Sequence, residues 1–151
     1  MTTPSLKEIR YINISALKVA IAEWHRQEFE RAEDSYRADH FFREQFLDAI
    51  GHSDGVFLQL AAAFDAFACA VAFSVGMSNP HKADFATSND ELAKASSGDL
   101  GDRIRSTAAD GGFARLTAYR NIAAHRSVTT GRTVLRANVS SPTWTGSPST
   151  G

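Results

Sequence analysis

The fold turns on GVFLQLAAAFDAFACAVAFSVG, residues 55–76. Between Val56 and Val75 only Gln59, Asp65 and Ser74 are clearly polar. Phe57, Leu60, Phe64, Phe67, Val71 and Val75 recur at the three- and four-residue intervals of one helix face. Ser53-Asp54 supplies a cap ahead of the run, and Gly76 ends it. A stretch this apolar is long enough for a bilayer. Two features argue against a span. Seven of the twenty residues from 56 to 75 are alanine, which adds little transfer energy. Asp65, near the middle, would cost roughly 3 kcal/mol in hydrocarbon. The better reading is the central helix of a bundle, touched by protein on most sides, its alanines permitting close helix approach. A carboxylate inside such a helix needs a partner, and Arg120 on a late helix is a candidate.

Toward the N-terminus, Ser5-Leu6-Lys7-Glu8 is a capping box with Pro4 just outside. It predicts a helix to about Ser35, with Ile14, Leu17, Ile21 and Trp24 at helical spacing. The charged run from Arg26 to Asp34 reads as a solvated face. A second helix is expected from Asp39 to Ile50, with Phe42, Phe46 and Ile50 on one stripe and Gly51 as its stop.

Toward the C-terminus, Met77 to Thr87 reads as a loop around Asn79-Pro80-His81. Ser88-Asn89-Asp90-Glu91 is a second capping box, opening a short helix that frays at Ser96-Ser97-Gly98. Asp99 caps another short piece with Leu100 and Ile104 inside, broken at Asp110-Gly111-Gly112. The last helix carries Phe113, Leu116 and Ala123 on its buried side and ends near Arg126. Arg132 to Val139 alternates loosely, as a short strand or extended arm. Ser140 to Gly151 is rich in Ser, Thr, Pro and Gly and is expected to be disordered; Trp144 within it could dock on the body or be incidental. The whole predicts an all-α antiparallel bundle of about five helices: one domain over residues 1–139, with a tail over 140–151.

The chain has 151 residues, enough for one domain with a proper core. A net charge of −1 counts against broad, non-specific binding to nucleic-acid backbone, while leaving room for a local patch. Cys69 is the only cysteine and sits in an apolar run, so it reads as a packing residue, with no disulfide within the chain and no thiolate zinc site. Met1-Thr2-Thr3-Pro4 shows no basic-then-apolar signal pattern, so a cytoplasmic protein without membrane contact is expected. There is no Gly-rich phosphate loop, no His-Glu-x-x-His and no Glu-x-x-His pair. His40 and Glu44 are four apart without an evident third ligand, and His25, His52 and His81 receive no role. No cofactor or metal is expected.

One stretch does carry chemistry: Tyr119-Arg120-Asn121-Ile122-Ala123-Ala124-His125-Arg126. Arginine is a permanent cation whose planar fork matches phosphate oxygens. Histidine exchanges protons near neutral pH. Asparagine can hold the imidazole or the phosphate. Asn121 and His125 are four apart and would share a helix face. Arg120 and His125 are five apart, about 140° around an ideal helix, so a cleft between elements or a distorted helix end is needed to bring both to one phosphate.

Arg120-Asn121-Ile122-Ala123-Ala124-His125 resembles the arginine–polar–histidine motif of HEPN domains (higher eukaryotes and prokaryotes nucleotide-binding), and Phe64-Asp65-Ala66-Phe67 resembles the acidic feature that such chains often carry on an earlier helix. The resemblance is best over Ser53 to Arg126. It implies a HEPN-like bundle and metal-independent RNA cleavage by the ribose 2′-hydroxyl. His125 would be the general base or acid, Arg120 the phosphate's counter-charge, Asn121 an orienting group and Asp65 a supporting one. It also implies a homodimer with two motif helices lining one cleft, and a toxin or defence ribonuclease with a possible antitoxin partner. A non-catalytic HEPN-like module binding a nucleotide or a protein is the alternative, and a structural helical protein in which Asp65 and Arg120 simply pair is a third reading.

Overall fold

The computed structural model describes residues 3–38 and 43–124. Of these, 88% are helical and none is in a strand. Helix α1 spans Leu6–Ala38 and α2 spans Arg43–Ser74. A 3-10 turn at Pro80–Lys82 leads to α3, Phe85–Ala95, and α4, Asp99–Ala109. A fifth helix, α5, runs over residues 111–124, the last described. The expected all-α fold with about five helices is therefore present. The arm at Arg132–Val139, the tail from Ser140 with Trp144, and His40 lie outside the described residues.

The capping box at Ser5 forms as expected: Glu8 N donates to Ser5 Oγ at 3.3 Å, and Ser5 N donates back to the Glu8 carboxylate. The charged half of α1 is a solvated face, laced by Arg26 to Glu23 and Glu30 and by Arg31 to Glu28. α1 and α2 are antiparallel: Tyr11 stacks on Phe73 near one end, Ser15 Oγ donates to Ala63 O at 2.9 Å, and His25 meets His52 further along.

Two expectations about α2 are corrected. No second helix ends at Gly51, and Ser53-Asp54 caps nothing; one helix runs through both, with Asp54 buried inside it. The reason is tertiary. A Cβ at Gly55 would lie 2.6 Å from the His25 ring, so Gly55 is a seat for α1 rather than a break. The large residues of the Phe57–Val75 stripe are mostly half-buried, Val71 excepted, whereas Ala61, Ala63, Ala66, Ala68, Ala70 and Ala72 are buried. Close packing is made by small side chains, and the aromatic stripe falls beside it. α1 answers in kind: Ala22 is buried, while Leu17 and Trp24, expected inside, are 58% and 50% exposed. The stretch Phe46–Ser74 is long and apolar enough to cross a membrane, and less than half of its most apolar window is buried.

Gly76, at φ 70°, ends α2 in the left-handed region where glycine is at ease. α3 starts at Phe85, three residues before the expected box. Asp84 is the cap: its carboxylate accepts from Thr87 N at 2.9 Å and from the Thr87 hydroxyl. Ser88 consequently sits inside the helix. The short helices close the core. Phe85, Leu92 and Ile104 are its largest fully buried side chains, packed with Cys69, Val71 and the α2 alanines. Cys69 is the buried packing residue expected; its Sγ donates to Ala83 O at 3.2 Å, and burial pushes its thiol pKa up. Leu100, expected inside α4, is 37% exposed.

Candidate functional site

The site is assembled by α2, α3 and α5. α5 packs antiparallel to α2, with Phe113 edge-on to Phe64 at 5.1 Å and Tyr119 stacked on Phe57 at 4.7 Å. Phe64, Phe85 and Phe113 close into a triangle of rings about 5 Å apart. Ala123 is fully buried, which fixes the rotation of α5 and sends Arg120, three residues earlier, toward α2.

Asp65 and Arg120 do meet. Arg120 Nη1 lies 3.8 Å from Asp65 Oδ2, an ion pair beyond hydrogen-bond length. The side chains are 33% and 36% exposed, so the pair sits at the solvent edge and not in the interior expected from the sequence. The hydrophobic run around Asp65 does not enclose it, because the helix turns its alanine face inward and leaves this edge open. The closer partner of Asp65 is backbone: Phe85 N donates to its Oδ1 at 3.1 Å. Phe85 is the first residue of α3, so this carboxylate also faces the positive end of that helix. Nothing in the sequence pattern announces that bond, which depends on where the loop from Met77 returns.

Asn121 is exposed. Its Oδ1 accepts from Arg120 Nε and Nη2, each at 3.4 Å, a long and bifurcated contact. The guanidinium is thus placed between a carboxylate and an amide oxygen, with neither bond short enough to consume it. Such an arginine is available to a phosphate arriving from solvent. His125 lies outside the described residues.

A cleft of about 570 Å3 lies between α2, α4 and α5. Leu60 and Leu116 line it together with two aromatic pairs, Phe64 with Phe113 and Phe57 with Tyr119. Thr107, Asp110 and Arg115 supply polar groups along it. Tyr119 and Leu116 are one and four residues from Arg120 on the same helix.

Sequence reasoning also passed over two histidine contacts. His25 and His52 face each other with Nδ1 atoms 3.1 Å apart, one donating and the other accepting, beneath Trp24. Burial, then the charge of His52, lowers the pKa of His25. His81 Nδ1 is 3.0 Å from the Tyr11 hydroxyl, its ring edge-on to Phe73. Both pairs join residues far apart in the chain, so no local spacing signals them. Among the described residues, no three His, Cys, Asp or Glu side chains gather as metal ligands.

No family model, no curated protein and no solved structure matches this chain.

Proposed function

We propose that this chain is a metal-independent endoribonuclease of the HEPN type, built on a HEPN-like bundle. The observation that carries the reading is the Arg120 guanidinium at the solvent edge of α5, flanked by Asp65 and Asn121. In the reaction, a base takes the proton of a ribose 2′-hydroxyl, whose oxygen attacks the adjacent phosphorus. The bond to the 5′-oxygen breaks, that oxygen receives a proton, and a 2′,3′-cyclic phosphate remains. Arg120 neutralises charge developing on the phosphate oxygens. His125 exchanges the protons, and Asn121 orients the imidazole or the phosphate. Asp65 holds Arg120 in place between substrates.

One motif helix offers one arginine and one histidine, whereas cleavage needs one group to take a proton and another to give one. The active species is therefore a homodimer, its two-fold axis bringing two copies of His125 and Arg120 to one phosphate. A cytoplasmic toxin or defence ribonuclease, held in check by an antitoxin protein, is the setting in this reading. The test is purified protein incubated with RNA in excess chelator. Wild type should give fragments with cyclic-phosphate ends, and His125→Ala and Arg120→Ala should each lose cleavage by at least about a hundredfold while keeping the wild-type circular-dichroism spectrum. Equal cutting by His125→Ala would refute the ribonuclease.

A second reading has a specific observation behind it: Asp65 is already engaged by Phe85 N, so the Asp65–Arg120 pair also has a purely structural use. A HEPN-like module that binds a nucleotide or protein without cutting would follow if both variants retain full partner binding and wild type never cuts.

A further inference from the structure

The cleft between α2, α4 and α5 has the chemistry of a base-binding site. Its lining is rich in aromatic and aliphatic side chains: Phe64 and Phe113, edge-on to each other, Phe57 and Tyr119, stacked on each other, and Leu60 and Leu116. Its volume, about 570 Å3, falls in the range of small-molecule sites, roughly 300–1,000 Å3. A planar ring gains from such a lining, because aromatic side chains stack on any base. The polar groups are few and distinct. Asp110 carries a carboxylate whose Oδ1 accepts from Gly112 N at 2.6 Å, which anchors the group at the head of α5. A carboxylate can accept more bonds than that one. Thr107 and Arg115 add a hydroxyl and a guanidinium.

Charge gives the reason a base pocket is needed. At net charge −1 the chain is poorly suited to the broad phosphate-driven affinity that basic proteins use. Stacking and hydrogen bonds to base edges then add to the hold that Arg120 has on a phosphate. We propose that this cleft seats one unpaired guanine of an RNA strand, among its aromatic side chains, with its Watson–Crick N–H groups donating to Asp110. Guanine is the base that fits a carboxylate, since it alone presents an imino N–H beside an exocyclic amine on that edge. Tyr119 and Leu116 share α5 with Arg120, so the seated base sets which phosphate reaches the guanidinium. This inference rests on the ribonuclease reading for its substrate, but the pocket binds whether or not cleavage follows.

The experiment separates the two. The full-length His125→Ala chain is titrated, by calorimetry, with guanosine, adenosine, cytidine, uridine, ribose 5-phosphate and dodecanoate. Guanosine should bind at least about tenfold more tightly than the other nucleosides, the size of one good paired edge contact, and ribose 5-phosphate should not compete. Asp110→Asn should erase the guanosine preference. Tyr119→Ala, at a half-exposed position, should weaken all nucleosides by about tenfold or more. A folded protein that binds ribose 5-phosphate or dodecanoate and no nucleoside overturns the proposal. So does a guanosine affinity unchanged in both variants. The cleavage arm uses active wild type on a mixed-sequence RNA, with guanosine supplied free or within an oligonucleotide. Guanosine binding without any cleavage upholds the base site and fells the ribonuclease. Cleavage without base preference, together with no nucleoside binding, does the reverse. Tight binding of free guanosine with none of the oligonucleotide would assign the cleft to a small nucleotide and overturn its role in RNA.

Discussion

At the residue scale, Asp65 is more consequential for folding than its pairing with Arg120 suggests. The ion pair is 3.8 Å long with both side chains about one-third exposed, so its coupling should be at most about 1 kcal/mol. The bond from Phe85 N is different, since it fixes the start of α3 to the side of α2. Asp65→Ala should cost about 1–3 kcal/mol, by leaving that N–H unsatisfied, and Arg120→Ala less than about 1 kcal/mol. Urea melts of the two single variants and the double variant check this; a coupling well above about 1 kcal/mol would mean the pair is effectively buried. His25 gives a pH prediction. Burial and His52 lower its pKa from the ordinary 6.5 in the folded state. Below about 6.5 the unfolded chain therefore binds more protons, and stability falls as the pH is lowered, until the folded value is passed. Above about 6.5 the contribution is complete and flat. Thermal melts from about pH 5 to 8 should show a steeper acid-side decline for wild type than for His25→Gln, which cannot titrate. Parallel curves would show that the imidazole pair plays no part.

At the scale of elements, the two mid-helix glycines of α2 behave oppositely, and the difference lies in what faces them. Nothing stands within 4 Å of a Cβ added at Gly51, so Gly51→Ala should stabilise by about 0.5–1 kcal/mol through helix propensity. At Gly55 the added carbon meets the His25 ring at 2.6 Å. The gain in propensity is then offset by overpacking of about 1–3 kcal/mol, and Gly55→Ala should be net destabilising. Placing it on a His25→Ala background should remove the penalty. Chemical denaturation of the four proteins decides it; equal effects at both glycines would mean α1 and α2 do not approach this closely. The same contact explains why glycine here interrupts nothing. A helix stop needs a chain that gains by turning away, and α2 gains more by running on under α1.

At the scale of the whole molecule, several bulky apolar residues are left outside although much of the buried surface of α2 is alanine. Leu17, Trp24 and, on the outer side of α5, Ile122 are each about half exposed. Such surface is what a two-fold interface would cover. The expected outcome is a dimer by light scattering whose specific activity falls on dilution. Ile122→Glu should give a folded monomer with little cleavage. A strict monomer with full activity would rule out a composite site, even with His125 essential.

Local patterning determined a good deal on its own. Helical class, the box at Ser5, the ends of α2 and α3, the break at Asp110 and a buried Cys69 all rest on capping chemistry and on a 3.6-residue period, which act within a few residues. The pairing of Asp65 with Arg120 was also legible, because a carboxylate in an apolar helix needs a cation and few were in reach. Tertiary structure decided the rest. It set which face of each helix is inside, since alanine-on-alanine packing outcompeted the bulky stripes at Ile14–Trp24 and Phe57–Val75. It moved the cap of α3 to Asp84, kept α2 continuous through Gly51 and Gly55, and left the Asp65–Arg120 pair at the edge. It also brought His25 to His52 and Tyr119 to Phe57. Contacts between residues tens of positions apart follow from how whole helices come to rest against each other, and no local interval in the chain encodes that.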